Sequence, residues 1–544
     1  MEVSNLLLPA ANPFASYYLQ QTNEVMPFFH YTYNEPGADR ARLDELATRQ
    51  FPREELAVHI EKYMARFQPS AAIKNSLEKL KRPDSAVIIG GQQAGILTGP
   101  LYSIHKVISI IQLARQKEKE LGIPVVPVFW IAGEDHDYQE VNHVYVPIGT
   151  RADKWIFPQK VIQKKMVTDI RIDKELCRSW VASILSLFGE TGHTRQVKAF
   201  MEDALKRSET FTDFFGDLIT GLFPDSGLLL IDSGNPELRE IERSRFEDII
   251  LGQEAIISAL LRQQEEISKG GFPKTIDASE NSANLFYYDK TINERVLLDF
   301  DPMSGCFVGN KGSLSFTLEE LLQIARNEPA SLSNNVVTRP LMQEWLFPVL
   351  SFIGGPGEIA YWAELKLVFE NFGMKMPPIV PRLNITFIDR TIERDIQELD
   401  LNVSETIRRG TGPDEERYLD SIQDPELESV FQNAIKEVNA QYRRIEDKTI
   451  EIEPAILALV KKNESIILSQ IGFMQKKLEE AIKMKHSIAL GKFNRVSLEL
   501  RPEGSPQERV WNILYYVNKF GLDFPSRLLE LEYEFDGTHK LVRI

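Results

Sequence analysis

One continuous stretch, residues 86–137, constrains the fold more than any other part of the chain. It contains, in order, an apolar segment at 86–89, a glycine-rich turn at 90–100, a helical pattern at 101–120, a second apolar segment at 125–131 and an acidic turn at 133–137. Two parallel strands joined by a helix place both turns at the carboxyl edge of the sheet, where open α/β folds bind ligands. We therefore predict a Rossmann-type parallel sheet with its active site at this edge.

The remaining patterns indicate how the chain is divided. A third apolar segment, 227–231, repeats the strand-to-turn pattern and predicts another core strand. Apolar residues at helical spacing over 427–445 and 456–482 predict an antiparallel coiled-coil arm, although two ordinary amphipathic helices packed on the body would show the same spacing. The predicted organisation is an N-terminal helical segment at 1–85, core segments at 86–150, 216–240 and 331–390, connecting insertions at 151–215 and 241–330, the arm at 391–495, and a C-terminal helix and tail packing on the core at 496–544.

Charge and composition exclude several classes of function. A formal net charge of -16 argues against general affinity for nucleic-acid backbones or anionic lipids, so an anionic substrate would need a local cluster of cations. No apolar segment is long enough to span a membrane, and residues 1–13 do not resemble a signal peptide. The two cysteines, Cys177 and Cys306, cannot build a disulfide framework. We expect a cytoplasmic protein that binds neither nucleic acid nor membrane.

The glycine-rich turn is the first candidate site. Its backbone amides and the N-terminus of the following helix suit a phosphate or a carboxylate. The turn matches neither of the two common phosphate-binding glycine motifs, and a tight strand-to-helix corner would need glycine as well. The residues assigned here to cofactor binding are Gly90, Gly91, Gln92, Gln93, Gly95, Thr98 and Gly99.

The acidic turn after the second strand supplies the candidate catalytic residues Asp135, His136 and Asp137. They could bind Mg²⁺ through carboxylate oxygens, or provide a general base whose imidazole pKa is raised by its neighbours. The structural alternative is a solvated acidic turn that caps a helix. With His143 the group could imitate a zinc site, but no HExxH spacing or third ligand supports one, so zinc is not expected.

Two polar segments later in the chain are candidate substrate-binding loops. In the first, 333–340, the planar guanidinium group of Arg339 could clamp a carboxylate. The second, 354–358, is a glycine-rich turn that could equally be a helix N-terminus with Glu358 favourably placed on the helix dipole. The residues assigned to substrate binding are Asn334, Asn335, Arg339, Glu358, Tyr361 and Arg382.

Taken together and in order, these strings resemble the BshC family of bacillithiol biosynthesis. The resemblance lies in residues 90–106, 129–137, 333–340, 355–358 and 506–509, and it extends over essentially the whole chain. It implies a Rossmann-type core with two connecting insertions and a coiled-coil arm, usually forming a homodimer. It also implies a ligase that joins cysteine to glucosaminyl malate, with ATP or ADP as the suspected nucleotide and Mg²⁺ as a candidate ion. The family further suggests an ADP site near the arm, which Gln507, Arg509 and Trp511 could line.

The sequence leaves the energy source of such a reaction open. The core of the family is likened to class I aminoacyl-tRNA synthetases and nucleotidylyl transferases, but this chain has no His-x-Gly-His at the first helix and no Lys-Met-Ser-Lys-Ser near the arm. Two alternatives therefore stand beside the ligase. One is a nucleotide-binding enzyme of the nucleotidyl-transferase type, and the other is an accessory scaffold protein of the same pathway.

Overall fold

A computed structural model of the protein describes residues 1–67 and 69–544. The chain divides into two compact units. The first contains Met1–Phe387 and Gln507–Ile544, and the second contains Ile388–Pro506. The second unit is therefore an excursion of the chain, which leaves the first unit and later returns to it.

The elements of the first unit fall into four groups along the chain. The N-terminal group is β1 (Glu2–Leu6), α1 (Pro13–Leu19), α2 (Ala38–Leu46), α3 (Arg53–Met64) and α4 (Ala71–Lys81). The next group is β2 (Ala86–Gln92), α5 (Leu101–Leu121), β3 (Val125–Ile131), α6 (Tyr138–Val141), β4 (His143–Ile148), β5 (Arg151–Ile156), α7 (Lys174–Phe188), α8 (Thr194–Arg207), α9 (Phe211–Leu222) and β6 (Leu229–Asp232).

The third group is α10 (Pro236–Leu251), α11 (Gln253–Lys269), β7 (Ser282–Asp289), β8 (Glu294–Asp301), β9 (Cys306–Gly309), β10 (Leu314–Phe316), α12 (Leu318–Asn327) and β11 (Leu332–Asn334). The fourth is α13 (Thr338–Leu346), β12 (Val349–Gly354), α14 (Pro356–Trp362), α15 (Lys366–Asn371), β13 (Ile379–Pro381) and β14 (Ile385–Ile388). The second unit contains α16 (Arg390–Glu398), α17 (Val403–Arg409), α18 (Gly412–Ile422), α19 (Leu427–Ile452), α20 (Leu457–Lys485) and α21 (Ser487–Leu500). After the return to the first unit follow α22 (Gln507–Val510), α23 (Ile513–Phe520), α24 (Phe524–Leu528) and β15 (His539–Arg543).

A parallel sheet of five strands forms the centre of the first unit. Its spatial order is β13-β12-β2-β3-β6, and every neighbouring pair is parallel. Residues 86–89 of β2 and the whole of β3 are buried, as expected for parallel strands that are covered on both faces. The predicted fold class is confirmed. Because all five strands point the same way, the five loops that follow them lie at one edge of the sheet.

The insertions contain antiparallel strands and helices. β4 and β5 form a hairpin in the first insertion, and β10-β9-β8-β7-β11 form an antiparallel sheet around the second. The apolar segments at 283–288 and 296–298 predict strands, and they lie within β7 and β8. The apolar spacing over 249–268 predicts a single helix, and this prediction is wrong. Two helices, α10 and α11, meet at Gly252, and the apolar spacing continues across this break, which hides it from a periodicity analysis.

The N-terminal segment is largely helical but begins with a strand. β1 pairs antiparallel with β15, which also neighbours β14 in a three-stranded sheet. The partner of β1 comes from the other end of the sequence, so local patterns could not reveal it.

The two long helices predicted for the arm are α19 and α20. They pack against each other as a hairpin whose turn contains Pro454, and the Tyr442 hydroxyl donates to Asn463 Oδ1 at 2.5 Å. Apolar residues of the predicted seam remain partly exposed, including Ile445 at 46% and Met474 at 51%. Pairing within one hairpin therefore leaves apolar surface on the arm uncovered.

Candidate active site

Predicted site residues lie in the loops that follow four of the five parallel strands. Two adjoining cavities open at this edge: a large one of about 1120 Å³ and a small one of about 390 Å³. The residues that line both are Ala132, Asp135, Arg339, Gly357, Glu358 and Tyr361. Loops that are far apart in the sequence therefore meet in one continuous cleft, which is the default position for a ligand site on this kind of sheet.

The glycine-rich turn adopts an unusual backbone conformation. Leu97, Thr98 and Gly99 have positive φ values of 54°, 76° and 68°. This region is costly for a β-branched residue such as threonine and persists only when the surroundings fix it. Asn512 provides that restraint, because its Nδ2 donates to the carbonyl oxygens of Leu97 at 2.7 Å and Gly99 at 2.6 Å. No local sequence pattern links the turn to Asn512.

The predicted residues of this turn divide into two groups. Gly91, Gln92 and Gln93 line the small cavity. The others lie in the strand or in the turn itself and line neither cavity: Gly90, Gly95, Thr98 and Gly99. At Gly91 a side chain is excluded, because a Cβ would lie 2.8 Å from the carbonyl oxygen of Trp130 on the neighbouring strand.

Behind the turn lies a buried cluster of charged groups. Lys106 Nζ donates to the Gly91 carbonyl oxygen at 2.6 Å and pairs with Glu358. Burial lowers the pKa of Lys106, although Glu358 opposes this effect. Glu358 also accepts a hydrogen bond from the Gly355 amide at 2.7 Å, so it caps α14 while it anchors the lysine. Lys106 thereby ties the loops after β2 and β12 together.

Arg382 is held by a second buried pair. Its two terminal nitrogens donate to the two carboxylate oxygens of Glu508, each at 2.7 Å, and His105 Nδ1 lies 3.1 Å from Glu508 Oε2. Burial alone would raise the pKa of Glu508, but the charge and hydrogen bonds of Arg382 outweigh it and lower that pKa. Arg382 lines the small cavity, yet its guanidinium group is committed to Glu508.

The acidic turn is divided between the protein interior and the cleft. Glu134 is buried and pairs with Arg239, whose Nη2 lies 2.5 Å from Glu134 Oε2. Asp135 lines both cavities, and its Oδ2 accepts a hydrogen bond from Gln93 Nε2 at 2.8 Å. Asp137 is exposed and lines neither cavity. Of the three predicted catalytic residues, two therefore face the cleft.

His136 faces the large cavity with an unused ring nitrogen. Its Nδ1 is buried and has no hydrogen-bond partner among the described residues. Burial and then the charge of Arg295 lower the pKa of His136, against the opposing effect of Asp135. The prediction from sequence that neighbouring carboxylates raise this pKa is therefore wrong, because desolvation and Arg295 outweigh them. The ring is neutral at pH 7 and can accept a proton.

The loop at 333–340 contributes a cation and two asparagines. Arg339 lines both cavities and forms no ion pair in the described part of the chain, and its Nη2 donates to the Tyr361 hydroxyl at 2.5 Å. Burial raises the pKa of Tyr361 to about 12. Asn334 and Asn335 line the large cavity. Arg339 therefore has charge available for an anionic ligand.

Sequence reasoning missed two residues of the cleft. Arg295 on β8 donates through Nε to Ser333 Oγ at 2.9 Å, and its Nη1 lies 3.8 Å from Asp135 Oδ1. Trp130 on β3 lines the small cavity, and its buried Nε1 has no partner among the described residues. Arg295 lies in an insertion, and no recognisable motif surrounds it. Trp130 lies in an apolar strand, and the sequence does not show which way its side chain points.

The loop after β6 supports the acidic turn from the side. The buried Asp232 accepts hydrogen bonds from Thr168 Oγ1 at 2.5 Å and from the Gly234 amide at 2.9 Å. Burial raises the pKa of Asp232 to about 6. A Cβ on Gly133 would lie 2.0 Å from Asp232 Oδ1. The acidic turn can therefore approach this loop so closely only because residue 133 is glycine.

The three C-terminal residues predicted to line a nucleotide site have different positions. Gln507 binds the backbone of Phe387, accepting from its amide at 2.7 Å and donating to its carbonyl oxygen at 2.9 Å. Trp511 is buried and stacks on Tyr515 with ring centroids 5.0 Å apart. Arg509 is exposed and lines the small cavity. The structure thus brings only Arg509 of the three to the cleft.

Among residues 1–67 and 69–544, no group of three or more His, Cys, Asp or Glu side chains is arranged to hold a metal ion. No helix in this part of the chain has the length and apolar character needed to cross a membrane.

Comparison with known proteins shows the family of the chain. A family model described as the N-terminal Rossmann-like domain of bacillithiol biosynthesis BshC matches residues 1–383, and one described as the C-terminal coiled-coil domain of BshC matches residues 385–544. Relatives named "Putative cysteine ligase BshC" from Geobacillus thermodenitrificans, Geobacillus sp. (strain WCH70) and Bacillus cereus (strain AH187) are 43%, 41% and 40% identical over 544 residues, covering 100% of both chains. The predicted resemblance and coiled coil are confirmed. This chain belongs to the BshC family of bacillithiol biosynthesis, whose relatives carry the name of a cysteine ligase.

Proposed function

We propose that this protein is a ligase that joins the carboxyl group of cysteine to the amino group of glucosaminyl malate. One observation carries the proposal: Asp135 lines both adjoining cavities, and the neighbouring His136 lines the large one and keeps its buried Nδ1 without a hydrogen-bond partner among the described residues. A ligation needs two substrates with their reacting atoms in contact and a base at their meeting point. The border between the two cavities meets both requirements.

The small cavity suits anionic groups, in keeping with bound ATP and the carboxylate of cysteine. Arg339 and Arg509 line it without an ion-pair partner in the described residues, and the buried Trp130 Nε1 is a donor without an acceptor there. ATP, when bound, supplies the activation that a free carboxylate needs for amide formation in water. Mg²⁺, when bound with ATP, would be held by the nucleotide phosphates, and Asp135 would offer it a carboxylate at the border of the two cavities.

The large cavity suits glucosaminyl malate. The sugar amine enters as an ammonium group, gives one proton to solvent before it can attack, and must lose a second proton as the amide forms. His136 is neutral at pH 7 because burial and Arg295 lower its pKa, so its Nδ1 can take the proton as the bond between nitrogen and carbonyl carbon forms. The guanidinium group of Arg339, which has no ion-pair partner among the described residues, can pair with a malate carboxylate in two hydrogen bonds. The activating group on the cysteine carboxyl carbon is the leaving group.

The decisive experiment combines the purified protein with cysteine and glucosaminyl malate, with and without ATP and Mg²⁺, and detects the thiol product by mass spectrometry. Product that depends on ATP supports the ligase, and release of AMP or ADP identifies the cleaved bond. Asp135→Ala and His136→Ala should each abolish most of the activity. Asp137→Ala is the matched control, because this residue is exposed outside both cavities. Full activity in both cleft variants would refute the assignment.

We propose further that two copies associate through the arm. Large apolar side chains on α19 and α20 remain 38% to 52% exposed: Ile445, Ile467, Phe473, Met474 and Leu478. Apolar surface of this kind on paired helices is typical of a partner-binding face. Met474→Glu with Leu478→Glu should convert a dimer into a monomer in light scattering, whereas a monomeric wild-type protein would contradict this proposal. The two free cysteines are consistent with a cytoplasmic location.

A further inference from the structure

The side chain of Asn334 is buried in the wall of the large cavity without any hydrogen bond. It is only 1% exposed, and neither Nδ2 nor Oδ1 has a partner among the described residues. Leaving an amide buried and unpaired costs free energy, and such groups are rare enough in native proteins to require an explanation.

The backbone of Asn334 is fixed on both sides. Its amide donates to Glu134 Oε2 at 3.3 Å, and its carbonyl oxygen accepts from Arg295 Nη2. Glu134 is itself held by Arg239 at 2.5 Å. Two buried charged groups thus hold the peptide on either side of the side chain, so the unpaired amide lies in the cavity wall on a fixed backbone.

The next residue shows what an asparagine with a purely structural role does here. Asn335 Oδ1 accepts from the amides of Val337 at 2.9 Å and Thr338 at 3.1 Å, and its Nδ2 donates to Asn284 Oδ1 at 3.0 Å. Both ends of this side chain are used inside the protein. The contrast between the two neighbouring asparagines indicates that the partner of Asn334 is a ligand.

The chemistry of the amide indicates which part of a ligand it meets. An amide presents one donor group and one acceptor, and a hydroxyl group satisfies both at once. A carboxylate would satisfy Nδ2 but would oppose Oδ1 with a second acceptor. The cation available to carboxylates is Arg339, at the border of the two cavities. Apolar side chains that suit the C–H faces of a sugar ring also line the large cavity: Phe14, Phe286 and Leu297.

We propose that Asn334 is a specificity-determining residue that binds a hydroxyl group of the amino sugar, namely the hydroxyl next to the reacting amine. This inference rests on the proposed function. Arg295 connects the two positions, because it binds the Asn334 carbonyl oxygen and its Nη1 lies 3.8 Å from Asp135, the residue before His136. A sugar hydroxyl held by Asn334 therefore places the neighbouring amine beside His136.

Calorimetric binding tests this without any need for turnover. Glucosaminyl malate and its analogue with hydrogen in place of that hydroxyl are titrated into wild-type protein and Asn334→Ala. We expect the variant to bind glucosaminyl malate about 10- to 100-fold more weakly, from the cost of an unpaired polar group. The wild type should lose a similar factor with the analogue, and the variant should bind the analogue as well as the wild type does.

Stability measurements separate this role from a structural one. Asn334→Ala removes no hydrogen bond in the free protein, so its Tm should stay the same or rise. Asn335→Ala, the matched control, loses four hydrogen bonds and should lower the Tm.

The outcomes distinguish the two proposals. A wild-type protein that fails to bind glucosaminyl malate refutes the proposed substrate and this inference with it. A wild type that binds while Asn334→Ala binds equally well refutes the inference alone. An equal loss for both ligands in the variant also refutes it, because the amide then does not recognise that hydroxyl.

Discussion

Replacing Asp232 by asparagine should make the protein more stable at neutral pH and should leave its acid stability nearly unchanged. The carboxyl group lies beneath the acidic turn, and both of its oxygens are hydrogen-bonded, to Thr168 Oγ1 and to the Gly234 amide. Asparagine can keep this arrangement, because its Oδ1 can accept from Gly234 and its Nδ2 can donate to the Thr168 hydroxyl after that hydroxyl turns. The substitution therefore removes a buried charge without removing the hydrogen bonds.

The size of the effect follows from the pKa of Asp232. Burial raises it from 3.8 to about 6 in the folded protein. Below pH 3.8 the group is neutral in both the folded and unfolded states, and its contribution to stability is fully present. That contribution is lost as the pH rises through 6, because the unfolded state ionises more readily. A difference of about two pH units at 1.36 kcal/mol each corresponds to about 3 kcal/mol.

Urea denaturation of the wild type and Asp232→Asn, followed by tryptophan fluorescence at pH 4 and pH 7, measures this quantity. The free energy of unfolding of the variant, relative to the wild type, should rise by about 2 kcal/mol between the two pH values, since part of the full effect is already present at pH 4, where Asp232 of the unfolded state is partly ionised. All other titratable groups are the same in both proteins, so their contributions to the pH dependence of the unfolding free energy cancel when the variant is compared with the wild type. A difference that does not change with pH would refute the reasoning, since Asp232 would then ionise as easily in the folded protein as in water.

Three further substitutions test other parts of the cleft. His136→Gln should lower kcat by about 10²- to 10⁴-fold. In the wild type, the decline of the rate on the acidic side should lie below pH 6.5, because burial and Arg295 lower the pKa of His136. Glu508→Ala leaves the buried guanidinium group of Arg382 without its counter-charge and should destabilise the protein by about 3–5 kcal/mol in thermal or urea unfolding. Gly91→Ala places a methyl group 2.8 Å from a strand carbonyl oxygen, so it should lower both the Tm and the affinity for ADP measured by calorimetry.

Each of these expectations has an outcome that would contradict it. Gly357→Ala, the control for Tm, adds a methyl group in α14 where no atom lies within 4 Å, so its Tm should equal or slightly exceed that of the wild type. An equal loss of Tm in both glycine variants would contradict the steric argument. For Glu508, a Tm unchanged by alanine would mean that Arg382 finds another partner. For His136, an acidic decline at or above pH 6.5 would show that Asp135 dominates its pKa after all.

The sequence predicted the parallel sheet correctly because the relevant information is local. The segments at 86–89 and 125–131 are continuous apolar runs bounded by turns, and a helix between two such strands forces them to be parallel. The positions of Asp135 and His136 at the carboxyl edge then follow from topology alone. The helix break at Gly252 was missed because a lone glycine within continuing apolar spacing is a weak signal.

Contacts between distant parts of the chain could not be predicted in this way. Three contacts join residues that are far apart in the sequence and share no motif: the hydrogen bond from Asn512 to the glycine-rich turn, the ion pair of Glu508 with Arg382, and the ion pair of Arg295 with Asp135. The pKa of His136 was predicted in the wrong direction for a related reason. The carboxylates beside it are visible in the sequence, whereas the burial and the nearby cation that outweigh them exist only in the fold.

The hydrogen bonds from Asn512 to the glycine-rich turn have a consequence for how the protein is made. Residues 90–100 are synthesised long before Asn512, with the whole excursion at 388–506 between them. The strained conformation of Thr98 has no support from Asn512 until the excursion has been made. A chain that stops before residue 512 also lacks β15, the partner of β1, so it should have neither a complete first unit nor a formed ligand site. The glycine-rich turn therefore reaches its final conformation only after the second unit has been synthesised.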